Sequence, residues 1–150
     1  MAKNDEINDR ILRVLIADGR ISNIELAERV GLSPSACLRR VQDLEKRGVI
    51  TGYRARLDPA QTGRAYVVYV AVGLSEHSKA AQEGFERAMD RIDEVTECHN
   101  IAGAFEYLLR VETADLSAYK TFHTDRLGTV PHVRSITSHM VMGSTKDLRA

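Results

Sequence analysis

The feature that most constrains this chain is a pair of helical segments separated by only three residues, Gly31-Leu32-Ser33. The first segment begins at Ser22, which stands three residues before Glu25 in the spacing of a capping box. The second begins with Ser33 as its cap and Pro34 at the first helical position, where the missing N–H is not needed. Two helices joined by so short a turn do not readily run antiparallel. The sequence therefore predicts a crossing near a right angle, as in a helix-turn-helix.

A helix before this pair and a wing after it complete this half of the chain. Between about residues 5 and 17, apolar residues recur at the spacing of one helix face, which predicts the first helix. After Gly48 ends the last helix, the stretch 49–57 alternates apolar residues with arginines, which predicts a half-exposed strand or wing. Its alternating apolar residues are Tyr53, Ala55 and Leu57. We therefore predict a winged helix-turn-helix domain over residues 1–57.

The charge of the chain is distributed unevenly. Its 21 basic and 21 acidic residues give a formal net charge of zero. This sum excludes a strongly basic coat but not a local basic patch. Residues 1–32 hold five basic and six acidic residues, residues 33–57 hold six and two, and residues 58–150 hold ten and thirteen. The segment charges are therefore −1, +4 and −3, and the positive excess coincides with the third helix and the wing.

The third helix has the chemistry of a recognition helix. Such a helix enters the major groove by its N-terminal part, where small residues permit close approach and arginines bond guanine or phosphate. The predicted DNA contacts are Ser33, Ser35, Ala36, Arg39, Arg40, Arg47, Arg54 and Arg56. A solvated charged face of a small helical bundle is the alternative interpretation. The capping box, the short glycine turn, the Ser-Pro start and the basic wing together favour DNA.

The second half of the chain has a different pattern. Residues 58–64 contain Pro and Gly and are predicted to be a linker. Residues 65–150 then alternate strand-like and helix-like runs in the order βαββαβ. The predicted elements are a strand at 65–74, a helix at 78–92, strands at 95–102 and 106–111, a helix at 115–127 and a strand at 133–142. This order predicts a ferredoxin-like domain, and with the helical first domain it places the chain in the α+β class.

The first strand of that domain is apolar on both of its faces, from Ala65 to Leu74. Two helices cover one face of a ferredoxin-like sheet and leave the other face bare. A strand that is apolar on both sides needs cover on both sides. A second copy of the same domain is the economical cover, so we expect a homodimer, which also suits paired DNA half-sites.

Several motifs in register closely resemble the Lrp/AsnC (leucine-responsive, feast/famine) transcriptional regulators over nearly the whole chain. In the first domain they are Asp18-Gly19-Arg20-Ile21-Ser22-Asn23, Val30-Gly31-Leu32-Ser33-Pro34-Ser35, Cys37-Leu38-Arg39-Arg40-Val41 and Gly48-Val49-Ile50-Thr51-Gly52-Tyr53. In the second they are Glu97-Cys98-His99, Gly103-Ala104-Phe105-Glu106-Tyr107-Leu108-Leu109 and Leu116-Ser117-Ala118-Tyr119. The resemblance implies a sequence-specific DNA-binding regulator of the amino-acid metabolism type, with a second domain of the RAM type.

The resemblance also implies an assembly and an effector. It points to a dimer, often four dimers in an octamer, and to an amino-acid effector bound between the second domains. The effector positions it implies are Asn100, Gly103, Ala104, Glu106, His139 and Met140. The family commonly has Gly-Asp where this chain has Gly103-Ala104, so a different effector, or none, is the alternative here. Glu106 offers a nearby negative charge, while Gly103 also fits a turn, and His139 and Met140 also fit interface packing.

Other chemistries have little support in the sequence. Cys37 and Cys98 form no CxxC pair and are interpreted as buried apolar residues. The five histidines have no metal-binding spacing, and we expect no metal, no other cofactor and no catalytic residues. No apolar stretch approaches membrane-spanning length and the N-terminus lacks a signal-peptide core, so we expect a cytoplasmic protein with no membrane partner.

Two functions of different classes fit these sequence patterns. The first is a transcriptional regulator whose DNA affinity changes with a small molecule. The second is an enzyme or metabolite-binding module on the ferredoxin-like domain, which the fold alone does not exclude. The absence of a nucleophile–base set or a phosphate loop argues against the second.

Overall fold

The computed structural model describes residues 5–147. Contacts divide the chain into two compact units, Met1–Ala55 and Arg56–Ala150. Each unit has its own hydrophobic core. The boundary between them lies two residues before the predicted linker, 58–64. The beginning of that stretch is a hydrogen-bonded turn in which the Asp58 carbonyl accepts from two backbone N–H groups.

The described part of the first unit contains three helices: α1 (Glu6–Ala17), α2 (Asn23–Val30) and α3 (Pro34–Lys46). The predicted capping box is present, because the Ser22 hydroxyl accepts from the Glu25 N–H and the Glu25 carboxylate accepts from the Ser22 N–H. Ser33 caps α3 as predicted. The core packs one apolar stripe from each helix; its buried members are Ile11, Leu26, Ala27, Val30, Cys37 and Leu44.

Residues 49–57 were predicted to form a half-exposed strand or a wing, and the strand is wrong. No strand occurs anywhere in the described part of the first unit, residues 5–55, so this segment has no ladder partner. Instead, the N–H groups of Val49 and Ile50 both donate to the Leu44 carbonyl and finish α3. Residues 51–57 then continue in irregular backbone with every side chain exposed. The wing of this helix-turn-helix is therefore a loop, because an isolated strand has nothing to satisfy its backbone.

The second unit is a four-stranded antiparallel sheet with helices between its strands. Its elements are β1 (Tyr66–Leu74), α4 (Lys79–Met89), β2 (Val95–Asn100), β3 (Tyr107–Thr113), α5 (Leu116–Thr121) and β4 (Val133–Met140). The strand order β2-β3-β1-β4 places the first and third strands in the centre. This order confirms the predicted ferredoxin-like arrangement.

Alternation along the central strands separates the two faces of the sheet. Val68, Val70, Val72 and Leu74 of β1 are buried in the core, which also includes Phe85 of α4. Residues of the opposite phase, including Val67, Tyr69 and Leu108, lie on the other face and are half-buried. The prediction that β1 is apolar on both faces is confirmed.

The two cysteines differ in exposure. Cys37 is buried as expected, but Cys98 on the edge strand β2 is exposed, which contradicts its interpretation as a core residue.

The helix predicted over 115–127 is interrupted. After α5 the chain forms a π-helical turn (Phe122–Arg126) and a short 3-10 turn (Leu127–Thr129). The Leu127 N–H reaches back to the Phe122 carbonyl, five residues earlier. Phe122 and Leu127 are both buried, and a five-residue turn lets both enter the core where a regular helix would turn one of them outward.

Candidate functional site

The turn between α2 and α3 is fixed by backbone and side-chain hydrogen bonds. Gly31 adopts a left-handed conformation with φ of 75°. The following N–H, of Leu32, donates to the Ala27 carbonyl at 2.9 Å, which is the pattern of a Schellman motif. The Asn23 amide donates to the Pro34 carbonyl at 2.8 Å and joins the beginnings of the two helices. The N-terminal end of α3 therefore has a defined position on α2.

The N-terminal half of α3 presents small polar groups and one unengaged cation. Ser33 uses its hydroxyl to accept from the Ala36 N–H, while Ser35 is exposed beside it. Arg39 is exposed one turn further along. Within residues 5–147, the Arg39 guanidinium makes no hydrogen bond or ion pair. A cation with no protein partner, after small residues at a helix N-terminus, can bond a base edge or a phosphate.

The neighbouring arginine has a different environment. The Arg40 guanidinium donates to the Asp5 carboxylate at 2.5 Å and to the Asn8 side-chain oxygen at 3.0 Å. About a third of its side chain remains exposed. Asp5 and Asn8 belong to the beginning of α1, so Arg40 connects α3 to α1. The two adjacent arginines of the predicted contact set are therefore not equivalent.

The remaining predicted DNA contacts are more dispersed. Arg47, at the end of α3, pairs with Asp43 at 3.0 Å along the helix. The twelve-residue separation between Ser35 and Arg47 corresponds to about 18 Å along a helix axis. Arg54 is exposed in the wing loop, and Arg56 is the first residue of the second unit. Ser33, Ser35, Ala36 and Arg39 thus form one compact surface, which we call the α3 surface.

The predicted effector residues of the second unit lie in different environments. Asn100 is on the helix-covered side of β2 and interacts with the Tyr107 hydroxyl. Gly103 and Ala104 lie in an exposed turn between β2 and β3. Glu106 follows that turn, and its carboxylate accepts from the Leu74 N–H at 2.7 Å and lies 3.2 Å from His77. Glu106 therefore closes the end of β1 and has limited capacity for a ligand ammonium group.

His139 and Met140 do not join these residues within one chain. His139 pairs with Tyr69 and Met140 with Val68 across the β1–β4 ladder. Adjacent strand residues face opposite sides, so the two side chains diverge. Five residues separate Tyr69 from Leu74, where Glu106 is bound, which is about 17 Å at the rise of an antiparallel strand. A ligand of amino-acid size does not span that distance.

Two polar clusters were missed by the sequence reasoning. Asn8 is buried although polar, and its position three residues before Ile11 on the apolar face of α1 was an available signal. On the open face of the sheet, Arg110 donates to Glu112 at 2.7 Å and to the Tyr69 hydroxyl at 3.0 Å, and lies 3.5 Å from Asp147. Alternation places Arg110 on that face, but its partners depend on strand register.

The described residues hold neither a metal-binding cluster nor a membrane-spanning helix. Between residues 5 and 147, no three His, Cys, Asp or Glu side chains converge into a group that could hold a metal ion. No helix in the same range is long and apolar enough to cross a membrane.

Comparison with known proteins agrees with this division into two parts. Residues 4–51 match a winged helix-turn-helix DNA-binding domain, and residues 67–150 match the Lrp/AsnC ligand binding domain. The leucine-responsive regulatory protein of Escherichia coli K12 is 40% identical over 142 residues, which cover 95% of this chain and 87% of that protein.

Solved structures show the same similarity. A transcriptional regulator of Neisseria meningitidis in complex with L-methionine superposes with a TM-score of 0.92 and 34% identity, covering 97% of this chain and 94% of that one. A feast or famine regulatory protein of Mycobacterium tuberculosis complexed with L-methionine gives a TM-score of 0.82 and 34% identity, with 97% of each chain covered. With both of its parts matched in order, this chain belongs to the Lrp/AsnC family of transcriptional regulators.

Proposed function

We propose that the α3 surface reads the major groove and that Arg39 supplies its principal specific contact. The observation that carries this proposal is the exposed Arg39 guanidinium, which has no partner among residues 5–147, on a helix fixed by the Asn23–Pro34 hydrogen bond. Arginine bonds guanine through two N–H groups, so one such residue contributes much of the discrimination between sequences. Arg47, Arg54 and Arg56 are proposed to contact phosphates beside the groove.

The test is a gel shift on the DNA upstream of the protein's own gene, measured against unrelated DNA. Arg39→Ala is expected to weaken specific binding roughly tenfold to a hundredfold, the loss typical of one bidentate base contact. Arg13→Ala is the matched control, because Arg13 is exposed on α1 and outside the α3 surface. Wild-type binding by Arg39→Ala, or no specific shift by the folded wild-type protein at any salt concentration, would contradict the proposal.

We further propose that the second unit forms the contact between copies. Val67, Tyr69 and Leu108 lie half-buried on the sheet face opposite the helices, and an apolar surface of this kind is stabilised by a partner. A second copy offers an equivalent surface by two-fold symmetry. Light scattering is expected to give at least twice the chain mass of 16.7 kDa. A monomer at micromolar concentration would exclude this assembly, and an eightfold mass would identify an octamer.

An amino-acid effector is proposed to bind at such a contact and to change DNA affinity. Three observations support this proposal. The first two are the match to a ligand binding domain and the L-methionine held by the two similar structures. The third is the separation of Glu106 from His139, which requires residues of more than one copy if both take part. Asn100, Gly103, Ala104 and Met140 remain proposed members of the site.

Calorimetry with the twenty amino acids tests the effector proposal. Ala104 places no carboxylate at a position where the family commonly has one, so we expect weaker binding of an ammonium group than in Ala104→Asp. If neither the wild type nor Ala104→Asp binds any of the twenty amino acids while folded, the proposal of an amino-acid effector is contradicted. Equal affinities of the two proteins would show that position 104 does not contact the ammonium group.

We also infer that the chain acts by binding alone, without catalysis, metal or prosthetic cofactor, and that it acts in the cytoplasm, where bacterial-type DNA regulators meet their DNA. The supporting observation is that the matched parts are a DNA-binding domain and a ligand-binding domain. Recovery of a metal or chromophore with the purified, DNA-binding protein would contradict this inference.

A further inference from the structure

Three side chains connect the beginning of α1 to the middle of α3. Asp5 caps α1 by accepting from the Asn8 N–H at 2.8 Å through one carboxylate oxygen. Its other oxygen lies 2.5 Å from the Arg40 guanidinium, which also donates to the Asn8 side chain. We call these three residues the Arg40 cluster. One group of atoms therefore both caps α1 and attaches α3 to it.

Each pair of helices in the first unit is joined by a polar connection, and the Arg40 cluster is one of these three. Arg10 of α1 donates to the Arg29 carbonyl at the end of α2, at 3.2 Å. Asn23 of α2 donates to the Pro34 carbonyl at the start of α3. Arg40 supplies the remaining connection, between α1 and α3. It is the only one of the three that includes an ion pair.

Apolar packing alone leaves a helix some freedom to rotate and slide on its neighbours, whereas a directional hydrogen bond specifies one position. Asn8 is 7% exposed, so its side-chain oxygen has little access to water and depends on Arg40 for a donor. Moving α3 relative to α1 would leave this buried oxygen unsatisfied. The Arg40 cluster therefore opposes displacement of the helix that carries the α3 surface.

We propose that Arg40 is a positioning residue for DNA recognition, which Asp5 and Asn8 hold away from DNA so that α3 keeps its orientation. This inference rests on the proposed function of the α3 surface and replaces the sequence-based hypothesis that Arg40 contacts DNA. Arg39 binds the DNA, and Arg40 fixes the helix from which Arg39 extends.

Removing the Asp5 carboxylate distinguishes positioning from contact, because the two roles predict effects of opposite sign. If Arg40 were a phosphate contact restrained by Asp5, Asp5→Asn would release it, tighten binding and steepen the salt dependence by about 0.9 in the log–log slope. If Arg40 positions α3, Asp5→Asn weakens specific binding roughly threefold to tenfold. The salt slope and the affinity for unrelated DNA then stay at their wild-type values.

Asp9→Asn is the matched control for this experiment. It makes the same change of charge one turn further along α1, at an exposed position outside the Arg40 cluster. We expect Asp9→Asn to bind specific DNA like the wild type. All variants are compared well below their melting temperatures, because a contribution to stability alone would lower the melting temperature without changing the affinity of the folded protein.

Substitutions at the other two positions test the same geometry. Asn8→Ala removes the buried acceptor and is expected to lose specific affinity, whereas Asn8→Asp keeps an acceptor for Arg40 and is expected to retain it. Arg40→Lys keeps the charge, but its ammonium nitrogen lies one bond nearer the main chain than Nη1, the single Arg40 nitrogen that donates to both Asp5 and Asn8, so it should behave like Asp5→Asn. Should Asn8→Ala prove unfolded, Arg40→Lys and Asp5→Asn still decide between the roles.

The same measurements separate the role of Arg40 from the role of the α3 surface. If Arg39→Ala binds specific DNA more weakly than the wild type, but Asp5→Asn binds it more tightly with a steeper salt slope, Arg40 is a DNA contact and the inference is wrong. If wild type and Arg39→Ala bind specific DNA equally, the proposed function of the α3 surface fails. If Asp5→Asn and Arg40→Lys both bind specific DNA with wild-type affinity, the Arg40 cluster is only a surface ion pair and does not position α3.

Discussion

At the scale of single residues, the polar contacts of this protein connect positions that are far apart in sequence. Arg40 reaches Asp5 across 35 positions, and the Tyr107 hydroxyl donates to Glu86 across 21. Contacts of this kind change the proton affinity of the groups that make them. Two titrations therefore report on them directly.

The first titration concerns Asp5. Its pKa is lowered because the Arg40 guanidinium and then the Asn8 N–H stabilise the carboxylate. The folded state thus binds a proton less readily than the unfolded state, and stability from this group is present above about pH 4 and lost as the pH falls through the lowered pKa. We expect the free energy of unfolding to decline less in acid for Asp5→Asn than for the wild type. Parallel curves between pH 5 and pH 2 would contradict this.

The second titration concerns Tyr107. Burial, and then the hydrogen bond to Glu86, raise the pKa of its hydroxyl from an ordinary value of 10.0 to about 12. The unfolded chain therefore ionises first, and stability falls as the pH rises from about 10 to 12, on the order of 2–3 kcal/mol in all. Tyr107→Phe should not show this alkaline loss in chemical denaturation. A loss of the same size in the variant would assign it to other groups.

Residue roles could be predicted from the sequence only where they depend on local spacing. Ser22, Glu25 and Ser33 were predicted as caps because a cap and its partner are three positions apart. Arg39 and Arg40 are both basic and adjacent, and nothing local separates them. Their difference depends on Asp5 and Asn8, whose proximity exists only after α1 packs on α3.

At the scale of elements, the side chains and backbone conformations at the end of a helix make a definite contribution to the free energy of unfolding. Gly31 ends α2 in a left-handed conformation, whereas Gly84 lies inside α4 with open space where a Cβ would be. The same substitution should therefore have opposite effects at the two positions.

Gly31→Ala is expected to lower the free energy of unfolding by about 1–2 kcal/mol, because a Cβ is disfavoured in the left-handed region. Gly84→Ala is expected to raise it by about 0.5–1 kcal/mol, because alanine loses less backbone entropy in a helix. Chemical denaturation of the two variants measures both changes. A loss of stability in Gly84→Ala would mean that its site is more crowded than the structure shows.

Element types were predictable where periodicity was long and the ends were marked, as in α1, α3 and β1. The prediction failed where a partner decides the outcome. The alternation in residues 49–57 resembles a strand, but the described first unit holds no other strand to pair with it. The π-helical turn after α5 arises because Phe122 and Leu127 both enter the core, a requirement that helix propensity does not express.

At the scale of the whole molecule, the two units are joined by a segment without strand pairing. Side chains from 51 to 63 are exposed, and the wing loop includes Arg54 and Arg56. Exposed irregular segments are where proteases cleave folded proteins. The chain order of the two units was predictable, since each part has its own periodicity. The position of the proposed effector site was not, because the predicted residues do not converge within one chain.

Trypsin is therefore expected to cleave first at Arg54 or Arg56 and to release two folded fragments. Mass spectrometry identifies the cut, and circular dichroism should show helix in the smaller fragment and mixed α and β structure in the larger. Specific DNA, added before the protease, should slow the cut if Arg54 contacts phosphate. First cleavage at Arg29 or Arg87, inside helices, would contradict this division of the chain.

Along β1, about 17 Å separates Tyr69, which pairs with His139, from Leu74, which binds Glu106, and this separation has a consequence for how the protein responds to its effector. If the effector site is completed by another copy, as proposed, it does not exist in a dilute single chain. Effector affinity then rises with protein concentration, and the effector strengthens assembly by the same factor, because linkage is reciprocal. A cell that makes more of this protein would thereby lower the metabolite level to which it responds. Abundance itself becomes a second input to the regulator.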